Sequence, residues 1–286
     1  MKTRSTQSAV RQALLIIGSG QSGSSISIAK SFLNLVFCRQ YLRGQNGIKV
    51  RYRQCRQEWT PHLERTKQAI RDAVSLCPQR RKAVILGSGL LLDIPLADLS
   101  RTFREVVLVD VVHPLSVFCR AKWYRNVRLV RADVTGTATE LLRIARTPSA
   151  PLPHATPRLF CDDAEVDFVA SVNLLSQLPH LPTAYLDKNA PRPECETDAF
   201  ARQLIESHLD YLQRLPGVVS LITDVEKQQV DRNGKVIQQF DLLYDVRPPR
   251  HDDDWLWAHV PINHLSPEWA YQRRVIAVRN VKSRVH

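Results

Sequence analysis

The sequence lacks several features that would place it in a specialised class of protein. None of its apolar runs approaches the roughly 18 residues of a transmembrane helix. Its six cysteines lie far apart and form no Cys-x-x-Cys pair, which argues against a disulfide scaffold and a structural zinc site. We therefore expect reduced thiols, no metal site and a cytoplasmic location. With 44% hydrophobic and 24% charged residues, the 286-residue chain has a globular composition.

Acidic residues are absent from the first 57 positions. Residues 1–82 hold 16 Lys and Arg against three acids, whereas the other 204 residues hold 24 bases and 25 acids. Apolar residues at helical spacing predict a basic, mostly helical N-terminal extension over residues 1–80. Its apolar stripe would cap the following domain. A contact of residues 1–57 with an anionic partner, either nucleic acid or a membrane surface, is the alternative.

Two helices are predicted within this extension. One covers Ile26 to Leu42, and a second begins with Thr60 as N-cap and Pro61 as first helical residue and ends before Pro78. In the second helix, Trp59 and the apolar residues after it recur at helical spacing, so we interpret them as packing residues.

From residue 81 onward, apolar strands alternate with amphipathic helices. The predicted strands are Ala83–Leu86, Val106–Val109, Val127–Val130, Val166–Val172 and Val218–Thr223. The predicted helices are Pro95–Phe103, Leu115–Tyr124, Thr137–Ala145 and Ala199–Leu215, and residues 147–163 and 179–198 are predicted as Pro-rich connections. Strands that are apolar on both faces and separated by helices indicate a parallel sheet with crossover helices.

The C-terminal part of the domain has a different pattern. Lys227–Val230 and Lys235–Tyr244 flank Asn233-Gly234 and predict an antiparallel hairpin, and Val275–Val281 predicts a final strand. The acidic run 251–254 is interpreted as a solvated loop, and the tryptophans at positions 255, 257 and 269 as packing residues. The predicted fold is therefore α/β: a Rossmann-like, mostly parallel sheet with antiparallel C-terminal strands over residues 81–286, preceded by the helical extension.

Three segments of this domain carry a recognisable chemistry. A strand ending in Gly87-Ser88-Gly89 leaves backbone free to approach a ligand closely. Asp110 ends the next strand and can accept hydrogen bonds from both hydroxyls of a ribose, while Asp133 follows the third strand and can accept from an exocyclic amine such as adenine N6. Open α/β sheets bind ligands at this edge. The sequence therefore predicts an adenosine site.

These segments, with the strand from Val166 that leads to Asn173 and Gln177, resemble class I S-adenosylmethionine-dependent methyltransferases. The resemblance implies that Gly87, Ser88 and Gly89 border the methionine part of S-adenosylmethionine. It implies that Asp110 holds the ribose and that Ala132 and Asp133 face the adenine. The residues from Ser171 to Gln177 would line the amino end of the cofactor and the transfer pocket. Leu90–Pro95 replaces the usual third glycine, so a longer loop is expected before the helix.

The residues that assist the transfer are less sharply indicated. Asn173, Gln177 and His180 follow the fourth strand and are the catalytic candidates; His113 is a further candidate near the adenine. The chain has neither the Asn-Pro-Pro-Tyr of enzymes that methylate adenine amino groups nor the Pro-Cys of cytosine C5 enzymes. We therefore expect a small-molecule acceptor rather than a nucleic-acid base.

Two alternatives remain open from the sequence. The first is a non-catalytic binding or adaptor protein that has this fold and is recruited by its basic arm. The second is an NADP-dependent oxidoreductase. In this alternative, the sequence of Gly18–Gly23 matches the dinucleotide-binding pattern Gly-x-Gly-x-x-Gly. Ile48–Tyr52 would be the second strand, and the arginines in and around it could contact the 2′-phosphate of NADP.

Overall fold

The computed structural model describes residues 41–144, 146–147 and 149–284 of the chain. The helices are α1 (41–54 in its described part), α2 (Arg56–Ser75), α3 (Leu96–Thr102), α4 (Leu115–Ala121), α5 (Ala138–Ile144), α6 (His180–Asn189) and α7 (Glu194–Arg214). The strands are β1 (Lys82–Leu86), β2 (Glu105–Asp110), β3 (Val127–Arg131), β4 (Val166–Val172), β5 (Val218–Asp231), β6 (Val236–Asp241), β7 (Asp253–Val260) and β8 (Trp269–Val278). Short 3-10 turns cover Leu175–Gln177 and Val281–Arg284. The Gly18–Gly23 motif and nearly all of the predicted Ile26–Leu42 helix lie outside the described residues.

All the described strands belong to one eight-stranded sheet. The strand order is β3-β2-β1-β4-β5-β8-β7, and β6 pairs with the outer part of β5. Strands β1 to β5 run parallel, whereas β6, β7 and β8 are joined by antiparallel pairings. The predicted fold class, a Rossmann-like, mostly parallel sheet with antiparallel C-terminal strands, is confirmed.

The strand order locates the place where a ligand can enter. From β1 the chain proceeds outward through β2 to β3, then returns to place β4 on the other side of β1. The loops after β1 and β4 therefore leave the sheet in opposite directions and open a crevice between them. In open α/β sheets, ligands bind at such a switch point, outside the carboxyl ends of the strands.

Burial on both faces explains why the central strands are almost continuously apolar. All seven residues of β4 are buried, and the last four of β1 are buried as well. One face packs against α2, α3 and α4 and the other against α7. Such strands cannot face water on either side, which is the physical reason that the sequence shows runs rather than alternation.

Helix α2 joins the predicted extension to the sheet. It buries Trp59, Leu63, Ile70 and Ala73, and the Trp59 Nε1–H donates to the backbone oxygen of His259 in β7 at 3.0 Å. The apolar stripe thus covers the sheet. The boundary at residue 80 between an extension and a domain stays a prediction.

The start of α2 differs from the prediction. The helix begins at Arg56, and the Thr60 hydroxyl donates to the Arg56 carbonyl at 2.7 Å instead of capping the helix. Pro61 lies inside the helix, where its missing N–H leaves only the carbonyl of exposed Gln57 without a helical donor. Water can solvate that carbonyl, so the helix tolerates the proline.

Two predicted non-helical segments are helical. Ile48–Tyr52, the candidate strand of the dinucleotide motif, lies within α1, so that prediction is wrong. The connection predicted over residues 179–198 contains α6 and the first turn of α7. Pro182 occupies the first turn of α6, where its missing N–H costs nothing, and Tyr185 and Leu186 pack against Phe200 of α7. This packing stabilises a helix that proline content argues against.

The antiparallel region is more extensive than predicted. Val218–Thr223 and the first arm of the hairpin form one 14-residue strand, β5, because β8 pairs with it from Leu221 to Asp231. The hairpin at Asn233-Gly234 is confirmed, but the last strand ends at Val278. Part of the acidic run is not a loop, since Asp253 and Asp254 open β7.

Within the described residues, no helix is both long and apolar enough to span a bilayer.

Candidate functional site

A cavity of about 430 Å³ lies at the carboxyl ends of β1, β2 and β4, at the switch point of the sheet. Most of the predicted site residues line it: Gly87, Gly89, Asp110, Ala132, Asp133, Asn173, Gln177 and His180. This volume falls in the range of small-molecule and cofactor sites. The structure therefore brings these residues of four separate segments to one cavity.

The turn after β1 has the bare backbone that the sequence suggests. Gly87 and Gly89 both have positive φ angles, +78° and +50°. A Cβ on Gly87 would lie 2.9 Å from the backbone oxygen of Val172, so close packing against β4 requires a glycine there. A Cβ on Gly89 would meet only the Gly87 oxygen, at 3.9 Å, so the space in front of Gly89 is open.

Asp110 connects this turn to β2. Its carboxylate accepts hydrogen bonds from the backbone N–H of Gly89 and of Val111, both at 2.7 Å, and from the hydroxyl of Tyr41 in α1. Burial raises the pKa of Asp110, and the hydrogen bonds from Tyr41 and Gly89 counteract that rise. The carboxylate is therefore fixed in place at the cavity wall, with Tyr41 covering it.

Asp133 is bonded mainly within its own segment. One carboxylate oxygen accepts from the backbone N–H of Thr135 at 2.9 Å and from its hydroxyl at 2.7 Å. The other oxygen accepts from the backbone N–H of Ala138, at the start of α5, at 2.9 Å. The carboxylate thus stabilises the turn into α5 while it lines the cavity. Recognition of adenine by Asp133 stays a prediction.

Three of the residues singled out in the sequence do not line the cavity. Ser88 is fully buried, and its backbone N–H donates to Val109. Ser171 is fully buried in β4, and its hydroxyl is 3.0 Å from the Nε2 of His208 in α7. His113 lies 3.1 Å from the backbone oxygen of Val130 through its Nε2 atom. These side chains do not line the cavity, although His113 is close enough to Asp110 to lower the pKa of that carboxyl.

The catalytic candidates lie where β4 ends. Asn173 has a left-handed backbone, with φ of +48°, and its Nδ2 donates to Asp93 at 2.7 Å. Gln177 donates to the Asn173 backbone oxygen at 2.7 Å, and His180 is exposed at the cavity rim. Asp93 comes from the long loop that replaces the third glycine. Burial raises its pKa, and the hydrogen bond from Asn173 opposes the rise. The loop therefore holds Asn173 in position.

Beyond Asn173, the cavity is walled by four aromatic rings from α2 and β7. Trp257 stacks on His62 at 4.1 Å between ring centroids and meets Trp59 edge-on at 4.9 Å. Trp59 in turn stacks on His259 at 5.7 Å. The His62 Nδ1 accepts a hydrogen bond from Trp255 at 3.1 Å, which leaves the proton of neutral His62 on Nε2. We call Trp59, His62, Trp257 and His259 the ring cluster.

Neither the ring cluster nor the charged residues beside it were assigned to this site from the sequence. Arg51 of α1, Asp224 of β5 and Arg273 of β8 also line the cavity. Asp224 is 2% exposed and accepts from both the Ser176 hydroxyl and the Arg273 guanidinium. Trp255, Trp257 and His259 occupy every second position, the spacing that places side chains on one face of a strand. This pattern in the sequence could have revealed β7. Arg51 is one of the arginines noted in the sequence at the candidate second strand of the dinucleotide motif, whereas no comparable signal marks Arg273.

The part of the chain that is described contains no group of three His, Cys, Asp or Glu side chains arranged to hold a metal ion.

Comparison with protein-family models found no match, and comparison with curated proteins found none either. Among solved structures, DhpI in complex with SAH is 12% identical, covers 80% of this chain and 93% of its own, and has a TM-score of 0.32. N-methyltransferase NodS from Bradyrhizobium japonicum WM9 with S-adenosylhomocysteine (SAH) is 12% identical, covers 74% and 86%, and has a TM-score of 0.33. Burkholderia thailandensis 1,6-didemethyltoxoflavin-N1-methyltransferase is 12% identical, covers 92% and 93%, and has a TM-score of 0.31. Likeness at this level does not establish a function for this chain.

Proposed function

We propose that this protein is an S-adenosylmethionine-dependent methyltransferase that acts on a small-molecule acceptor. The observation that carries the proposal is the meeting of Gly89, Asp110 and Asp133 on one cavity at the switch point of the sheet. An adenosine site needs three parts: a glycine turn without side chains, a carboxylate at the end of the next strand, and a third segment beside them.

The residues present fit such a cofactor. The open space in front of Gly89 admits the amino-acid part without a clash. Each carboxylate oxygen of Asp110 accepts one backbone N–H; of the two lone pairs left, one accepts from the Tyr41 hydroxyl and the other can accept a ribose hydroxyl. Ala132, Val134 and Leu141 give an apolar wall for a flat base next to Asp133.

S-adenosylmethionine supplies a methyl group on a sulfonium: a lone pair of the acceptor forms the new bond to carbon, and the carbon–sulfur electron pair remains on sulfur, giving SAH. The protein's contribution is to align the acceptor and to exclude water from it. Asn173, which is fixed by Asp93, would position the acceptor, and Gln177 would fix the Asn173 backbone. His180 at the rim would receive a proton when the acceptor atom carries one.

Isothermal calorimetry with SAH tests this proposal. We expect binding by the wild type and a loss of affinity of about 10- to 100-fold in Asp110→Asn, because hydrogen bonds to a charged group contribute about 1.5–3 kcal/mol. Asp254→Asn is the matched control, since Asp254 is exposed and pairs with Arg274 outside the cavity. Circular dichroism melting verifies that each variant is folded. No binding by the folded wild type, or equal affinities for wild type and Asp110→Asn, contradicts the proposal.

A further inference from the structure

The part of the cavity beyond Asn173 has a composition unlike that of the adenosine end. We call this part the acceptor end; it is formed by the ring cluster together with Arg51, Asp224 and Arg273. These residues come from both N-terminal helices and the antiparallel strands. Their charges, hydrogen-bonding groups and ring surfaces indicate which class of molecule they can hold.

Positive charge predominates at the acceptor end. Arg51 and Arg273 line it, against the single carboxylate of Asp224, which is already paired with Arg273. Lys227, opposite Arg273 in the pairing of β5 with β8, does not line the cavity, and its ammonium lies 3.8 Å from the centroid of the Tyr271 ring. Burial, followed by Arg273, Arg51 and Lys227, lowers the pKa of His259 to about 2, so this ring adds no charge at neutral pH. The surplus of cations would be balanced by an anion.

The hydrogen-bonding groups also favour an anion. Arg51 can only donate, so the His259 Nε2, 3.3 Å from its Nη1, accepts and the His259 proton lies on Nδ1. That N–H, the Trp257 Nε1–H and the Arg273 Nε–H are buried and find no acceptor among the described residues. A buried donor without a partner costs about 1–3 kcal/mol. The donor atoms themselves are shielded from the cavity, so the residues that offer donors to a ligand directly are Arg51 and Arg273, which line it.

The ring cluster gives the same region an apolar wall. Trp257 is partly exposed, Trp59 lies edge-on to it, and Leu63 and Leu92 line the cavity next to them. Aromatic walls favour flat, apolar groups, which stack or lie edge-on to the rings. The acceptor end thus combines cations with a surface for a ring.

We propose that the methyl acceptor is a small organic anion, with its carboxylate or phosphate held by Arg51 and Arg273 and a flat apolar body against Trp59 and Trp257. The identification of this anion as the acceptor rests on the proposed methyltransferase function. The presence of the anion site itself does not.

Ligand-observed NMR titration of the full chain, with and without saturating SAH, tests the inference. The probes are benzoate, phenyl phosphate and the neutral isostere benzamide. We expect benzoate or phenyl phosphate to bind at least about tenfold more tightly than benzamide, and the better of the two identifies the anionic group. We expect Arg273→Met to weaken anion binding by about 10- to 100-fold.

The matched control is Arg274→Met, the next residue of β8, which pairs with exposed Asp254 away from the cavity. Since Arg273→Met leaves the buried Asp224 without its cation, Arg51→Met serves as a second variant. The inference is overturned if all three probes bind equally or if neither anion binds. It is also overturned if Arg273→Met and Arg51→Met are both folded and bind the anion as the wild type does. Anion binding without any SAH binding would contradict the methyltransferase proposal alone, whereas SAH binding without discrimination between probes would contradict the anion site alone.

Discussion

The two ends of the cavity are built in different ways. Apart from its cover, Tyr41, the adenosine end comes from the ends of β1, β2 and β3 and the segments that follow them, so its residues lie within residues 87–141. The acceptor end joins residues far apart in the chain: Trp59 bonds His259 across 200 positions. The comparison shows that a binding site for a common cofactor can be encoded by short segments, while the site for a particular acceptor depends on how distant elements pack.

The two ends also differ in charge. Asp110 and Asp133 place carboxylates at the adenosine end, whereas Arg51 and Arg273 place guanidiniums at the acceptor end. A cationic sulfonium cofactor and an anionic acceptor would each meet the complementary charge. Mutations that affect one end and leave the other intact test this division.

The largest effect is expected from filling the adenosine end. In Gly89→Leu the side chain would enter the open space in front of the turn, and we expect SAH affinity to fall at least about 100-fold. Calorimetry measures the loss. Gly234→Leu is the control, because Gly234 also has a positive φ, +79°, with nothing within 4 Å, but lies in the hairpin. If Gly89→Leu binds SAH as well as Gly234→Leu does, the cofactor does not occupy this space.

Acid should destabilise the acceptor end. Burial lowers the pKa of His62 to about 3 in the folded protein, whereas a histidine in the unfolded chain has a pKa near 6.5. Between pH 6.5 and pH 3, the unfolded chain therefore binds a proton at this position that the folded chain does not bind. The contribution of His62 to the free energy of unfolding is therefore retained above pH 6.5 and falls by about 1.4 kcal/mol per pH unit as the pH drops toward 3.

Urea denaturation of wild type and His62→Gln at pH 7 and pH 5 measures this loss of stability. We expect the stability difference between them to shift by about 2 kcal/mol in favour of His62→Gln at pH 5. Replacement of exposed His154 by Gln is the control for the general effect of exchanging a histidine for a glutamine. A pH-independent difference for His62→Gln would show that the buried ring takes up a proton as readily as the unfolded chain does.

A smaller effect is expected at Asp133. Its hydrogen bonds with Thr135 and Ala138 hold the turn into α5, so Asp133→Ala should lower the free energy of unfolding by about 1–2 kcal/mol. Asp133→Ser, which keeps an acceptor oxygen, should lose less. Chemical denaturation measures both. Calorimetry with SAH then tests the adenine contact. If the Asp133 carboxylate contacts the adenine, its removal should weaken SAH binding in both variants.

The smallest effect is expected at the cover of the adenosine end. The Tyr41 hydroxyl bonds the Asp110 carboxylate, which a ribose would also use. Removing this competing bond in Tyr41→Phe should tighten SAH binding about tenfold, which corresponds to about 1.5 kcal/mol, the lower end of what a hydrogen bond to a charged group contributes. In the Asp110→Asn background the same substitution should have no effect. Weaker SAH binding in Tyr41→Phe would show that the hydroxyl helps to hold the cofactor.

The quality of the sequence predictions follows from how local the determining forces are. Val166–Val172 was predicted with the bounds that the structure shows, because a strand buried on both faces needs an uninterrupted apolar run. Residues 179–198 and Ile48–Tyr52 were predicted wrongly. The prolines of residues 179–198 and the β-branched residues of Ile48–Tyr52 have local preferences against a helix. In the first segment the packing of α6 against α7 outweighs them, and in the second the packing of the N-terminal helices against the sheet does so.

By itself, the sequence determined that the first five strands are parallel, and it determined the glycine turn and the two carboxylates, one at the end of β2 and one just after β3, because each feature is marked by residues that are neighbours in the chain. The tertiary structure alone decided that Arg51, Trp59, Trp257 and Arg273 share a cavity wall, and that Ser88 and Ser171 do not. The physical reason is that such contacts depend on the packing of helices and antiparallel strands that are far apart in the chain, so no local sequence pattern marks them.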